Sequence, residues 1–189
     1  MNLGTRLGIS VSTLLLAAFV VHGAAAAPAA PSTIHGYEQG KWVISGSLGV
    51  GLASTYGGNG SPLIAGTAEL GVTPNISVGG SAGIASSKYS YYNYTAKYTY
   101  TVVAARGSYH FIKVAPEKPL DLYAGRALGY NHVGVSETGP FAYGYGVGAS
   151  YVLYGLYGGA RWWFNPRTSV FGELGYGLGE LAVGASVRL

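Results

Sequence analysis

The chain has 189 residues, enough for one domain, with a net charge of +4, no cysteine, 32 glycines and only 10% charged residues. That charge content falls well below the usual quarter or so of a soluble protein, which disfavours a fully water-facing surface. The absence of cysteine excludes disulfide staples and a lipid-modified amino-terminal cysteine, and the scattered basic residues exclude the basic stripe of a nucleic-acid footprint.

The amino terminus reads as a cleaved secretory signal over residues 1–26. Met1 to Arg6 carries one positive charge, Leu7 to Val21 is apolar, and Gly23 to Ala27 supplies the small residues a signal peptidase needs, with cleavage expected near Ala26. The apolar stretch is too short to be a good membrane-spanning helix. Losing Arg6 takes the net charge from +4 to +3. Residues 27–40 form a short, Ala/Pro-rich and then polar lead-in, expected on the periplasmic side.

From Lys41 to Leu189 the residues alternate, the signature of pleated strands with two different faces. Strand-like segments run over Lys41 to Ser54, Pro62 to Val72, Ile76 to Ser87, Tyr98 to Phe111, Leu120 to Val133, Tyr154 to Phe164, Thr168 to Tyr176 and Glu180 to Leu189. Most approach the length at which a tilted strand crosses a bilayer. Thr73 to Asn75, Lys113 to Pro119 and Asn165 to Arg167 are tight or proline-punctuated turns, whereas Thr55 to Ser61, Lys88 to Lys97 and Gly134 to Leu153 are longer and rich in Gly, Ser and Tyr. Short turns at one end and longer loops at the other are the pattern of an eight-stranded antiparallel up-and-down transmembrane β-barrel in a bacterial outer membrane, an all-β fold.

Aromatic residues mark the expected membrane boundaries. Trp42, Tyr109, Phe111, Trp162 and Phe164 share the apolar parity at the periplasmic strand ends and are expected to form one girdle, with Tyr98, Tyr130 and Tyr176 in a second. The opposite parity carries Glu69, Arg106, His110, Arg161, Glu173, Glu180 and Arg188. The interior of so small a barrel is filled by side chains, so these charges are expected to pair rather than line a wide channel. Arg161 and Glu173 are equidistant from Arg167, which predicts a salt bridge across a symmetric hairpin. Strict alternation would put Arg126 on the lipid face, and a bulge near Gly125 is expected to reset its parity. A soluble β-sandwich with these aromatics in its core is the competing architecture.

The ending Gly159-Ala160-Arg161-Trp162-Trp163-Phe164-Asn165-Pro166, then Val170 to Gly177 and Leu181 to Gly184, resembles the carboxyl-terminal signature of the small outer-membrane β-barrel superfamily. That group includes the membrane domain of outer membrane protein A, outer membrane protein X and Ail, and the opacity proteins. The resemblance implies an eight-stranded barrel, insertion by the barrel assembly machinery, and roles in surface integrity or adhesion. Members usually end in an aromatic residue; this chain ends in Leu189.

Catalytic readings find little support. A protease of the omptin type needs paired aspartates, and Asp121 is the one aspartate present. His132, Ser136 and Glu137 lie close together, but the His-x-Ser-Asn pattern of lipid A deacylases is missing. His35, His110 and His132 lack the spacing and acidic neighbours of a metal site, and no cofactor is expected. The Gly-x-Gly repeats lack the strand-to-helix context of a nucleotide loop. Tyr89, Tyr91, Tyr92 and Tyr94, with Tyr98 and Tyr100 and flanked by Lys88 and Lys97, read either as a contact surface for host glycans, proteins or lipopolysaccharide or as an extended interfacial girdle. The expected function is therefore structural or surface-interactive and non-enzymatic, among outer-membrane lipids and lipopolysaccharide, with a small ion-permeable porin as the alternative.

Overall fold

The computed structural model describes residues 36–51, 59–112, 118–139, 148–177 and 179–189. The expected signal and its cleavage point lie outside these residues. Alternating sequence becomes nine strands: β1 (Trp42–Val50), β2 (Asn59–Gly60), β3 (Leu63–Gly71), β4 (Ile76–Tyr91), β5 (Tyr94–His110), β6 (Leu120–Thr138), β7 (Ala149–Trp163), β8 (Thr168–Tyr176) and β9 (Leu181–Arg188). The two-residue β2 pairs only with Ser87 and Lys88 of β4. The other eight form the barrel.

Every pairing is antiparallel, and each long strand joins its neighbour in sequence. The ring closes where β1 pairs with β9, Val43 facing Arg188 and Val50 facing Leu181. Closure leaves no edge along the wall, so each main-chain donor there finds an acceptor without help from solvent. Burial follows the expected parity. Along β5 the buried residues Val102, Ala104, Arg106, Ser108 and His110 alternate with exposed or half-buried neighbours.

Strand length is uneven, and that unevenness positions the functional surfaces. β1, β3 and β8 each have 9 residues, whereas β4, β5 and β6 have 16, 17 and 19. The pairing of β4 with β5 continues to Tyr91 opposite Tyr94, and β6 follows β5 to Thr138 opposite Thr95. β7 leaves β6 at Val133. A three-stranded sheet therefore stands above one side of the rim, tipped by a Tyr92-Asn93 turn in which Tyr92 takes φ 50°.

The expected loops Lys88 to Lys97 and Gly134 to Leu153 are strand over most of their described residues, and two further sequence expectations fail here. The β7–β8 hairpin pairs Trp162 with Val170 and Arg161 with Phe171, so it is centred on Pro166 and Glu173 faces Gly159. β6 runs in unbroken register past Gly125, facing Ser108 on one side and Tyr157 on the other, so no bulge resets Arg126. Gly125 answers to packing instead. A Cβ there would run into the Gly107 carbonyl and the Tyr157 ring.

Candidate functional site

The turn-end half of the lumen is filled with ionised and hydroxyl side chains whose partners come from across the barrel. Glu69 on β3 is the hub. Its carboxylate lies 3.3 Å from Arg106 Nε on β5 and accepts a 2.7 Å bond from Ser108 Oγ. Arg106 also reaches across to β8, with Nη2 at 2.7 Å from Glu173 Oε1, while its guanidinium lies 4.0 Å over the Tyr157 ring. The Tyr123 hydroxyl donates to the same Glu173 oxygen at 2.9 Å. One layer nearer the turns, Asp121 takes the His110 ring at 2.7 Å and Arg161 Nη1 at 3.4 Å. Each arginine thus meets a carboxylate and an aromatic face, the condition under which buried charge is tolerated.

A strap seals this layer. Before β1 the chain turns at Gly40, with φ 78°, and crosses the turn-end mouth. Tyr37 stacks on His110 with ring centroids 3.9 Å apart, and its hydroxyl bonds the Thr73 and Ile76 carbonyls at 2.8 and 2.7 Å. Glu38 pairs with Arg188 at 2.5 Å, and Arg188 Nη2 donates to the Gly36 carbonyl at 2.7 Å. Gly36 sits so close to the Leu120 carbonyl that a Cβ would collide with it. Burial, together with the Asp121 and Glu69 carboxylates, pushes the Tyr37 phenol up to about 12. Above the Arg106–Glu173 pair the lumen opens into a cavity of about 80 Å³, walled by small residues such as Ser47, Ala65, Ser81, Gly83 and Ala182.

No protein-family model matches this chain, and no curated protein matches it. Solved structures do. The amino-terminal β-barrel domain of OprF from Pseudomonas aeruginosa matches with TM-score 0.55 and 15% identity, over 80% of this chain and 98% of that one. Ail, the attachment invasion locus protein of Yersinia pestis, matches with TM-score 0.53 and 16% identity, over 80% and 100%. A major outer membrane protein from Thermus thermophilus matches with TM-score 0.56 and 16% identity, over 79% and 98%. The fold is that of the small outer-membrane β-barrels.

Within that fold, the girdle residues Trp42, Tyr109, Phe111, Trp162 and Phe164 all stand exposed on the outer wall toward the turn end. Tyr130 and Tyr176 are exposed toward the other end. Tyr98 is not with them: it faces inward and packs on the cluster of Ala85, Tyr100 and Val133. Glu69, Arg106, His110, Arg161, Glu173 and Arg188 are gathered in the lumen, but Arg161 pairs with Asp121 and Glu173 with Arg106, not with each other. Glu180 stays exposed where β9 begins and takes no part in the ion pairs among the described residues. Asp121, Tyr123, Tyr157 and the strap residues Tyr37 and Glu38 are the members that sequence reasoning left out. Their inward parity was a usable signal for the three strand residues.

The strand tyrosines of the cluster keep to one face. Tyr89 and Tyr91 on β4 lie opposite Ala96 and Tyr94 on β5, and these positions continue the inward parity of Ala85 and Tyr100. The outward positions of the same sheet hold Lys88, Ser90, Thr95 and Lys97. An interfacial girdle needs its tyrosines pointing outward, so this cluster is not one. Tyr94 donates to Glu137 at 2.9 Å, and Tyr92 is 91% exposed at the tip.

One constellation imitates a catalytic triad. Ser77 Oγ lies 2.9 Å from His110 Nε2, and His110 Nδ1 lies 2.7 Å from Asp121 Oδ1. The order nucleophile, base, carboxylate is correct. Substrate room is what it lacks: Ser77 is only 2% exposed, its hydroxyl is shared with Glu69 at 3.4 Å, and the adjoining cavity, capped by Tyr37, measures about 10 Å³. His132 bonds Ser150 at 2.9 Å rather than Ser136. No cluster of three metal-ligating residues occurs among the described residues.

Proposed function

We propose that this chain is an exported bacterial outer-membrane barrel that passes little through its lumen and acts through the sheet above its outer rim, without catalysis. The closed lumen carries this reading. Arg106 and Arg161 are each bound to carboxylates on other strands, and Tyr37 and Glu38 bar the turn-end mouth. A through-passage for ions would require breaking several of these pairs at once. Among the described residues, the extended β4–β5–β6 sheet stands accessible above the rim, with the exposed tyrosines Tyr89, Tyr91 and Tyr92. Tyrosine supplies apolar contact area with a polar handle, which suits a host or surface ligand. Lipopolysaccharide and outer-membrane lipids are the surrounding partners, and the barrel assembly machinery the route of insertion.

A small porin is the second reading, favoured by the cavity of about 80 Å³ in the outer half of the lumen. Single-channel recording in planar bilayers separates the two. The closed-barrel reading expects current at the level of the bare membrane; discrete steady openings of the unmodified protein would replace it with the porin. Cells displaying the protein should lose adhesion to a host surface when Tyr89, Tyr91, Tyr92 and Tyr94 are replaced by serine, with the barrel still heat-modifiable on a gel.

A further inference from the structure

Arg126 stands on the outer wall of the barrel. Its register is unbroken on both sides, facing Gly107 of β5 and Leu156 of β7, so it shares the parity of Ala124 and Leu128 and is exposed. Among the described residues it has no hydrogen-bond or ion-pair partner. Its depth is central. The turn-end girdle residues Trp162 and Tyr109 face Leu120 and Ala124 on β6, and Tyr130 of the opposite ring comes four residues after Arg126. An unpaired arginine facing hydrocarbon at mid-depth is among the least favourable placements in a barrel wall, and it persists only where its charge can reach water or an anion.

The neighbours decide which way it reaches. Toward the loop end the wall is built up by Leu128, 63% exposed, and Tyr154, 68% exposed. Beside it on β5 the outward position is Gly107, and toward the turn end come Ala124 and Gly158. A Cβ at Gly107 or Gly158 would meet nothing nearer than 3.7 Å, so the inside of the wall does not require glycine at either place. The result is a shallow track from Arg126 to the Tyr109 ring, which is 49% exposed at the girdle. Tyr109 faces Ala124, one pleat from Arg126, a descent of about 5 Å along a tilted strand, which a snorkelling arginine stem covers.

No described acid of this chain supplies the anion. Among the described acids, Glu69, Asp121 and Glu173 lie in the lumen, Glu38 in the strap, and Glu137 and Glu180 toward the loop end. A second copy in the same membrane plane therefore brings no described carboxylate to this depth. We propose that Arg126 binds the phosphate of a glycerophospholipid in the periplasmic leaflet, its stem lying along Ala124 and Gly158, so that the headgroup is drawn inward beside β5–β7. The proposal rests on the membrane reading above.

The test is phosphorus-to-nitrogen dephasing in solid-state nuclear magnetic resonance. Arginine-labelled barrel is refolded into phosphatidylethanolamine and phosphatidylglycerol bilayers in phosphate-free buffer, with heat-modifiable gel mobility as a separate control for insertion. A dephased guanidinium signal that disappears in Arg126→Gln is expected. Ala124→Leu, which fills the track and leaves the arginine in place, should weaken the dephasing, whereas Leu128→Ala should leave it unchanged. An inserted barrel whose Arg126 signal is not dephased overturns the site alone. Equal loss in the Ala124 and Leu128 variants overturns the direction of reach. Failure to enter the bilayer overturns the membrane reading and the site with it.

Discussion

Arg106 on β5 is paired through the lumen with Glu173 on β8, at 2.7 Å, although two strands of wall separate them. Removing one partner of a buried pair leaves the other charge uncompensated, at a cost of about 3 to 5 kcal/mol. Glu173→Ala should therefore destabilise the barrel by about 3 kcal/mol in urea titrations in lipid vesicles, and Arg106→Ala should cost at least as much, since it also takes from Glu69 the nearer of its two arginines. The double variant should cost less than the sum, and strict additivity would mean the pair is not formed.

The strap should respond to alkali. The Tyr37 phenol is pushed from its ordinary 10.0 to about 12, so the advantage of seating it is complete below pH 10 and is lost as the pH rises through about 12. Difference absorbance of the wild type against Tyr37→Phe isolates one phenolate. Its midpoint should lie near 12; a midpoint near 10 would place this ring in water.

Glycines of the two faces should behave oppositely. A Cβ at Gly125 would strike backbone and the Tyr157 ring, whereas one at Gly46 meets nothing within 4 Å. Gly125→Ala is expected to cost about 1 to 3 kcal/mol as an overpacked site, and Gly46→Ala to be neutral or to stabilise by up to about 1 kcal/mol. Equal effects in chemical denaturation would contradict the packing role assigned to Gly125.

Ser77 should behave as a buried hydrogen-bonding group. A fluorophosphonate probe, which labels activated serines, is expected to leave the folded barrel unmodified, and Ser77→Ala should alter stability alone. Stoichiometric labelling lost in that variant would make the Ser77–His110–Asp121 arrangement a working nucleophile.

The alternating strands, the turn-end girdle and the inward charges other than Glu180 are legible in the sequence because each depends only on parity, a local property of the chain. Partner choice is not. Which carboxylate meets Arg161 depends on the stagger between strands that are not neighbours, and alternation carries no information about that. The Arg161–Glu173 expectation takes Arg167 as the middle of the turn; the hairpin is centred on Pro166, and that one-residue offset puts Phe171 opposite Arg161. Tyr98 is misplaced for a related reason, since a position near a presumed strand end looks interfacial until its face is considered. Gly125 shows a third limit: glycine in a strand signals either a bulge or a close approach, and only the neighbouring Tyr157 ring decides between them.

The strap and the last strand share one arginine. Arg188 holds both Glu38 and the Gly36 carbonyl, partners 150 and 152 positions away, and it occupies the end of β9, the strand that joins β1 to close the ring. The same strand that closes the ring thus also locks the strap across the mouth. A barrel with its seam unzipped is expected to carry a loose amino-terminal tether, distinguishable by protease from one that has been completed.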